Sequence, residues 1–205
     1  MADTAHPFVS ALKGVVAAGA RYGPATSSPG VVVCEIGAVG LATLTARKGR
    51  RTALIDAVRA SFGVDLPTTP KRVAGLEIAF VWLGPDRWLA CKEPAPDVGM
   101  EALLGAHLAG LASLVDASHD RTLLRLTGAN VRDALAKGVG VDLHPRAFQP
   151  GDAAATLLSH IPVHLWQIDE QPTYEFAVVR SLAQSFWQWL ATAAAQYGLK
   201  FADPF

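Results

Sequence analysis

The chain lacks a long run of uncharged apolar residues, although 51% of its 205 residues are hydrophobic and its mean hydropathy is +0.26. A bilayer-spanning helix needs roughly 18 or more such residues in succession, so we expect no transmembrane helix. The apolar surplus must then be buried in a core or against a partner chain, and we expect both.

An excess of either charge is also missing, since Lys plus Arg and Asp plus Glu each total 18 residues. Neither sign is gathered into a tail. Proteins that bind nucleic acid usually carry a basic patch or stripe, so the charge balance argues against a nucleic-acid partner. The N-terminal sequence MADTAHPF has no basic region leading into a long apolar run, which predicts no signal peptide and a cytoplasmic location.

The strong catalytic signatures are absent as well: there is no Walker A loop, H-E-x-x-H, C-x-x-C or G-x-S-x-G. Cys34 and Cys91 lie in strand-like apolar settings and are predicted to be reduced core thiols. Ser118, His119 and Asp120 have the residue types of a catalytic triad, but sequence neighbours in a strand or turn point in different directions.

Histidines at a metal-binding spacing occur once. His160 and His164 are four residues apart, which suits a metal ion on a helix, but Pro162 between them indicates extended chain. We therefore predict no catalytic, cofactor-binding or metal-binding residue in this chain.

The stretch 115–148 organises the sequence. It predicts a strand over Arg121–Leu126, a turn, and a short helix over Val131–Lys137 that ends at Gly138. The same plan occurs earlier, with a strand over Leu41–Thr45 and a helix over Arg51–Phe62.

Similarity at a fixed offset indicates an internal repeat. A shift of 82 residues, from Leu41 to Leu123, also aligns Val33 with Val115. Each half is predicted to run β-β-α-β-β-α, as in a split βαβ unit with helices on one side of an antiparallel sheet. The predicted fold is therefore α+β, with two pseudo-symmetric ferredoxin-like halves, about 31–110 and 111–205, packed as a single pseudo-duplicated domain.

Residues 1–30 combine an Ala/Gly-rich segment with a turn-rich loop, and we interpret them as an N-terminal arm that orders only against another surface.

Several residues are candidates for a partner interface. The apolar stripe of the last predicted helix, about Ser181–Tyr197, leaves out Trp187, which is either a chance exposure or an interface anchor. Three arginines either make intersubunit ion pairs or lie on a solvated strand face. The complete set of candidate interface residues is Trp187, Arg121, Arg125, Arg146 and His119.

Two strings within this organising stretch, Val115-Asp116-Ala117-Ser118-His119 and Leu124-Arg125-Leu126-Thr127-Gly128, resemble the folate-binding domain of aminomethyltransferases. One branch, the gamma subunit of heterotetrameric sarcosine oxidase, is more similar. The strings that carry this similarity are Val141-Asp142-Leu143-His144-Pro145-Arg146-Ala147-Phe148, Trp82-Leu83-Gly84-Pro85-Asp86-Arg87-Trp88-Leu89 and Arg180-Ser181-Leu182-Ala183.

The resemblance implies the fold of the aminomethyltransferase N-terminal, folate-binding domain. It also implies a non-catalytic structural subunit of a complex that oxidatively demethylates sarcosine to glycine. Alpha, beta and delta subunits would be its partners, and FAD, FMN, NAD and tetrahydrofolate would be carried by other subunits.

A stand-alone folate-binding or aminomethyltransferase-like protein of one-carbon metabolism is the alternative. It would need a deep pocket between the halves with an acidic group in it. The aminomethyltransferases have acidic residues in the region that matches Ser159–Gln167, and here that region contains no carboxylate.

Overall fold

A computed structural model of the chain describes residues 9–24 and 28–202. Within those ranges it contains twelve strands, four α-helices and two short 3₁₀ turns. The elements are β1 (Arg21–Tyr22), β2 (Val31–Ile36), β3 (Gly40–Ala46), α1 (Arg51–Phe62), β4 (Arg72–Ala74), β5 (Ala79–Gly84), β6 (Arg87–Lys92), α2 (Met100–Leu108), β7 (Ala112–Asp116), β8 (Arg121–Thr127), α3 (Val131–Leu135), β9 (Ala153–Leu158), β10 (Ile161–Asp169), β11 (Thr173–Val179), α4 (Ala183–Ala194) and β12 (Leu199–Phe201).

The strands form two sheets that pack face to face, with helices on both outer faces. The larger sheet has seven strands in the order β1-β12-β2-β8-β11-β10-β9, and the smaller has five in the order β4-β5-β6-β3-β7. Val81 and Leu89 of the smaller sheet meet Leu123 and Trp166 of the larger one in an apolar layer between them. Helices α1 and α2 cover the smaller sheet, and α3 and α4 cover the larger. The predicted α+β class is confirmed.

The alternation of side chains along β5 shows why the strands are apolar on both sides. Phe80 and Trp82 belong to the cluster beneath α1 and α2, whereas Val81 and Leu83 belong to the layer between the sheets. Successive strand side chains point to opposite faces, and here both faces are covered. The high hydrophobic content of the sequence is therefore used to fill three apolar layers.

Two strands cross between the repeats. Strand β2 of the first half pairs with β8 in the larger sheet, where Val33 lies opposite Leu126. Strand β7 of the second half pairs with β3 in the smaller sheet, where Val115 lies opposite Thr43. Each half begins with the predicted β-β-α but then has three strands rather than two before its second helix, β4 to β6 in the first half and β9 to β11 in the second. The leading strand of each half is built into the other half's sheet. The sheets therefore do not follow the predicted division at residue 111.

The last helix buries a different set of side chains from the one that its sequence pattern predicts. Trp187 is only 3% exposed, and its ring makes edge-to-face contacts with Tyr22 at 5.6 Å and Phe201 at 5.2 Å between centroids. The prediction that Trp187 lies off the buried face is wrong, because the N-terminal segment and β12 cover a second side of α4.

The described part of the predicted N-terminal arm packs on the chain's own core. Leu12 is buried in the cluster beneath the larger sheet. The buried carboxylate of Glu35 accepts hydrogen bonds from the Ala11 N–H, at 2.8 Å, and from the Ser10 hydroxyl. This corrects the expectation that the arm orders only against another surface; residues 1–8 and 25–27 lie outside the described residues.

No helix in the described ranges has both the length and the apolar character that crossing a membrane requires.

Candidate functional site

A buried ion pair lies at one end of the layer between the sheets. Glu175 Oε1 accepts hydrogen bonds from Arg125 Nε at 2.9 Å and Nη2 at 2.6 Å, and Oε2 accepts one from Trp166 Nε1 at 2.7 Å. Burial acts to lower the pKa of Arg125, but the charge and hydrogen bond of Glu175 outweigh it and the pKa is raised. Glu93 adds a second carboxylate 3.6 Å from Arg125. Charge at this end is therefore balanced within the chain.

A cavity of about 160 Å³ opens beside this pair, and Arg72, Leu76 and Cys91 are among its lining residues. Arg72 Nε is buried there without a hydrogen-bond partner in the described part of the chain. Although part of Cys91 is exposed, burial of its thiol raises its pKa to about 12, and the charge of Glu175 adds to this shift. Because the thiolate is the reactive form, this shift lowers the reactivity of Cys91 at neutral pH.

The opposite end of the inter-sheet layer holds Arg121, His164 and Arg87. Arg121 Nη1 lies 3.3 Å from His164 Nδ1. Burial, then the charges of Arg121 and Arg87, lower the pKa of His164 to about 4, so the imidazole is neutral at pH 7. Burial also lowers the pKa of Arg121; Asp120 opposes this shift and Arg87 adds to it. Within the described ranges, neither arginine forms an ion pair with a carboxylate.

An open groove of about 540 Å³ lies on the outside of the molecule, between the N-terminal segment and α4. Tyr22, Trp187 and Gln188 line it, and Lys13 is the charged side chain among its lining residues. No carboxylate is among the described residues that line it.

The candidate interface residues are not gathered in one place. Arg121 and Arg125 lie on the inward face of β8, near opposite ends of the inter-sheet layer. His119 is exposed in the turn before β8, and Arg146 is exposed in the loop after α3. Trp187 lies in the cluster on the far side of the larger sheet.

The triad-like string has a structural role. The Ser118 hydroxyl accepts a hydrogen bond from the Leu41 N–H at 3.0 Å and donates one to the Leu41 carbonyl at 3.2 Å, which ties the turn to β3.

The two histidines at a metal-binding spacing lie in different surroundings. His164 contacts Arg121 and is partly buried on β10, while His160 is exposed. Across residues 9–24 and 28–202, no group of three His, Cys, Asp or Glu side chains is placed to hold a metal ion.

Sequence reasoning did not single out two buried carboxylates, Glu35 and Glu175. Each is the only charged residue in its strand, VVVCEI and TYEFAVV respectively. A single charged residue within an apolar strand indicates a buried, hydrogen-bonded or ion-paired group, because buried charges are retained only where they have such partners.

Residues 48–196 match the family model described as "Sarcosine oxidase, gamma subunit family". The chain belongs to this family. The resemblance predicted from the sequence is thereby confirmed, and the matched range includes all the strings that carried it.

Relatives in the gamma subunit family share about a third or more of the aligned residues. The sarcosine oxidase subunit gamma of Arthrobacter sp is 41% identical over 122 residues, covering 58% of this chain and 59% of that protein. The subunit of the same name from Corynebacterium sp. (strain U-96) is 34% identical over 143 residues, covering 69% of each. The match thus spans just under three fifths of the Arthrobacter protein's length.

Solved structures show the same fold. A chain of the heterotetrameric sarcosine oxidase from Corynebacterium sp. U-96, in complex with pyrrole 2-carboxylate, is 30% identical with a TM-score of 0.71, covering 82% of this chain and 85% of that one. The glycine cleavage system aminomethyltransferase T from Bartonella henselae gives a TM-score of 0.62 at 12% identity, over 86% of this chain and 48% of that one. The second match bears on fold alone, and it confirms the predicted aminomethyltransferase-like architecture of this gamma subunit family member.

Proposed function

We propose that this chain is the gamma subunit of a heterotetrameric sarcosine oxidase and serves it as a structural component without catalytic residues. The observation that carries the proposal is the shared fold, at 30% identity over 82% of the chain, with a chain of a heterotetrameric sarcosine oxidase. The assembly would oxidatively demethylate sarcosine to glycine in the cytoplasm. Its alpha, beta and delta subunits would be the partners, and FAD, FMN, NAD and tetrahydrofolate would be carried on those subunits.

The inter-sheet groups support a structural role. A general acid or base works best with a pKa near the operating pH. The pKa of Cys91 is about 12 and that of His164 about 4, so neither group exchanges a proton readily near pH 7. Both carboxylate oxygens of Glu175 already accept hydrogen bonds from Arg125 and Trp166.

A folate-binding role is less well supported. Pockets for organic ligands usually measure about 300–1,000 Å³, whereas the cavity between the two sheets measures about 160 Å³. The outer groove is larger, but the part of the chain that the structure describes contributes no acidic group to its lining. The alternative would need both a deep pocket between the halves and an acidic group in it.

The interface residues of the sequence analysis enter this proposal unequally. His119, Arg146 and Arg121 have at least part of their side chains at the surface, and we assign them to subunit contacts. Arg125 is held by Glu175 inside the chain, and Trp187 is buried, so neither is assigned to a contact.

The test is to purify the tagged chain from its native host under mild conditions and identify what co-elutes by mass spectrometry. We expect large flavin-containing chains and a small fourth chain in fixed proportion, with sarcosine-dependent oxygen consumption in the eluate. An untagged strain carried through the same steps is the control. Elution of the chain alone, with a thermal midpoint that tetrahydrofolate raises, would contradict the proposal and favour the folate-binding alternative.

A further inference from the structure

Each end of the inter-sheet layer contains a partly buried arginine, and the two arginines have different neighbours. At one end Arg125 has two carboxylates, Glu175 at 2.6 Å and Glu93 at 3.6 Å. At the other end Arg121 has the neutral ring of His164 as its hydrogen-bonded neighbour. Both arginines lie on the same face of β8. The Arg125 end therefore shows that this fold can neutralise a partly buried guanidinium with carboxylates of its own.

The Arg121 end lacks that balance. Arg87 reaches the same end from the smaller sheet, and its positive charge acts on both Arg121 and His164. Asp120, the acid whose charge acts on Arg121, is exposed and makes no ion pair with it among the described residues. Withdrawing a charge from water without a counter-ion is unfavourable, so the arrangement is incomplete in the isolated chain.

The hydrogen-bonding capacity of the cluster identifies the missing group. A guanidinium offers donors only. Because Arg121 donates to His164 Nδ1, the neutral ring carries its proton on Nε2, which is a further donor. Arg121 and Arg87 thus present two guanidinium forks, and the group that matches such donors is a planar oxyanion, above all a carboxylate.

The surroundings favour a carboxylate that belongs to another polypeptide. Arg87 is exposed, and Val179, which lies directly opposite Arg121 on β11, is an exposed apolar side chain. At such a surface site a free anion would compete with water, whereas a protein partner would cover the apolar rim and exclude water from the ion pair.

We propose that Arg121, Arg87 and His164 form a receiving site for an Asp or Glu side chain of another subunit in the assembly. This inference rests on the proposed function. It assigns the two arginines to the binding of a partner and His164 to the positioning of Arg121.

The test measures assembly and the stability of the free chain together. Three tagged variants are co-expressed with the partner subunits: Arg121→Gln, Arg87→Gln and Arg50→Gln. Arg50→Gln is the matched control, because Arg50 is an exposed arginine immediately before α1. Losing one member of a desolvated charge pair at an interface weakens binding by roughly thirtyfold or more, and we expect this for Arg121→Gln. The exposed Arg87→Gln should give a smaller loss, and Arg50→Gln none.

The free chain should respond in the opposite sense. Arg121→Gln removes an unbalanced charge, so its thermal midpoint alone should equal or exceed that of the wild type. If the variant is instead destabilised alone in proportion to its loss of assembly, Arg121 has a folding role and the inference fails.

Two further outcomes separate the explanations. Normal assembly of Arg121→Gln would overturn the inference and leave the proposed function standing, whereas failure of the wild-type chain to assemble would remove both. Formate tests for a free anion instead. If it raises the thermal midpoint of the free wild-type chain saturably but not that of Arg121→Gln, and if Arg121→Gln still assembles normally, the site binds a free anion and not a partner side chain.

Discussion

Arg125 and Glu175 lie directly opposite each other on antiparallel strands, and two nitrogens of the guanidinium reach the same carboxylate oxygen, at 2.6 and 2.9 Å. Trp166 occupies the other oxygen at 2.7 Å. Each group is satisfied only while the others are present, which makes this end of the inter-sheet layer sensitive to single substitutions.

Replacing Glu175 with Ala should lower the free energy of unfolding by about 2–4 kcal/mol, because it leaves Arg125 partly buried without its main counter-charge. The double variant Arg125→Met with Glu175→Gln should lose much less, since it removes both charges and leaves an amide oxygen to accept the Trp166 N–H. Urea unfolding measures both, and Glu77→Gln in an exposed ion pair is the control, with an expected change below about 0.5 kcal/mol. A double variant as unstable as the single one would contradict this account.

Substituting Glu35 should loosen the N-terminal segment. Its carboxylate accepts hydrogen bonds from Thr122 Oγ1 at 2.6 Å, Ala11 N at 2.8 Å and the Ser10 hydroxyl. In Glu35→Leu all three donors lose their acceptor, which we expect to cost about 1–3 kcal/mol. Hydrogen–deuterium exchange should become faster at residues 9–16 than at α1; equal protection in variant and wild type would show that the carboxylate does not fix the segment.

The burial of Trp187 makes it a core residue, so Trp187→Ala should destabilise the isolated chain by about 3–5 kcal/mol. Leu76→Ser is the matched control, because Leu76 is a fully exposed apolar side chain. Thermal unfolding of the free chain distinguishes the two. A Trp187→Ala chain of wild-type stability that fails to assemble with partner subunits would restore the anchor role considered from the sequence.

Cys91 should make stability fall at alkaline pH. Its pKa is raised from 9.0 to about 12, so between these values the unfolded chain has released a proton that the folded chain retains. The free energy of unfolding therefore decreases as pH rises, with a slope from this group approaching about 1.4 kcal/mol per pH unit. Unfolding of wild type and Cys91→Ala at pH 8 to 10 tests it; we expect the slope to be shallower in the variant, and equal slopes would contradict the shift.

His164 should make the free energy of unfolding fall at acid pH. Its pKa is lowered from 6.5 to about 4, so between these values the unfolded chain binds a proton that the folded chain does not. Its contribution to stability is present above about pH 6.5 and is lost as pH falls toward 4. An NMR titration of the imidazole should show a neutral ring at pH 5, and His164→Gln should flatten the pH dependence of unfolding. Protonation of this ring near pH 6.5 in the folded chain would refute the expectation.

Local pattern was sufficient for some of the individual elements but not for all: the short strands β4 and β12 were not predicted, and α3 ends at Leu135 rather than at the predicted Lys137. The apolar spacing over Arg51–Phe62 gives the observed bounds of α1, and the strand predicted over Arg121–Leu126 is one residue shorter than β8. These elements depend on side chains close together in sequence. The 82-residue offset likewise identified which elements correspond between the halves.

What the sequence could not supply depends on contacts between distant segments. The burial of Trp187 depends on Tyr22 and Phe201, which come from opposite ends of the chain. The pairing of Arg125 with Glu175 depends on the register of β8 against β11, which spans 50 residues of sequence. An offset shows which segments are alike but carries no information about which strands are neighbours in a sheet.

The placement of β2 and β7 has a consequence for how this chain can be divided. A cut between residues 110 and 112 would release one piece that has lost an edge strand, β7, and another that has lost the strand lying between β8 and β12. Each piece would expose unpaired backbone along its apolar sheet, and such an edge is a template for pairing with another chain. Each copy therefore supplies a strand that completes the other copy's sheet, and deleting either copy would leave the other with an open sheet edge.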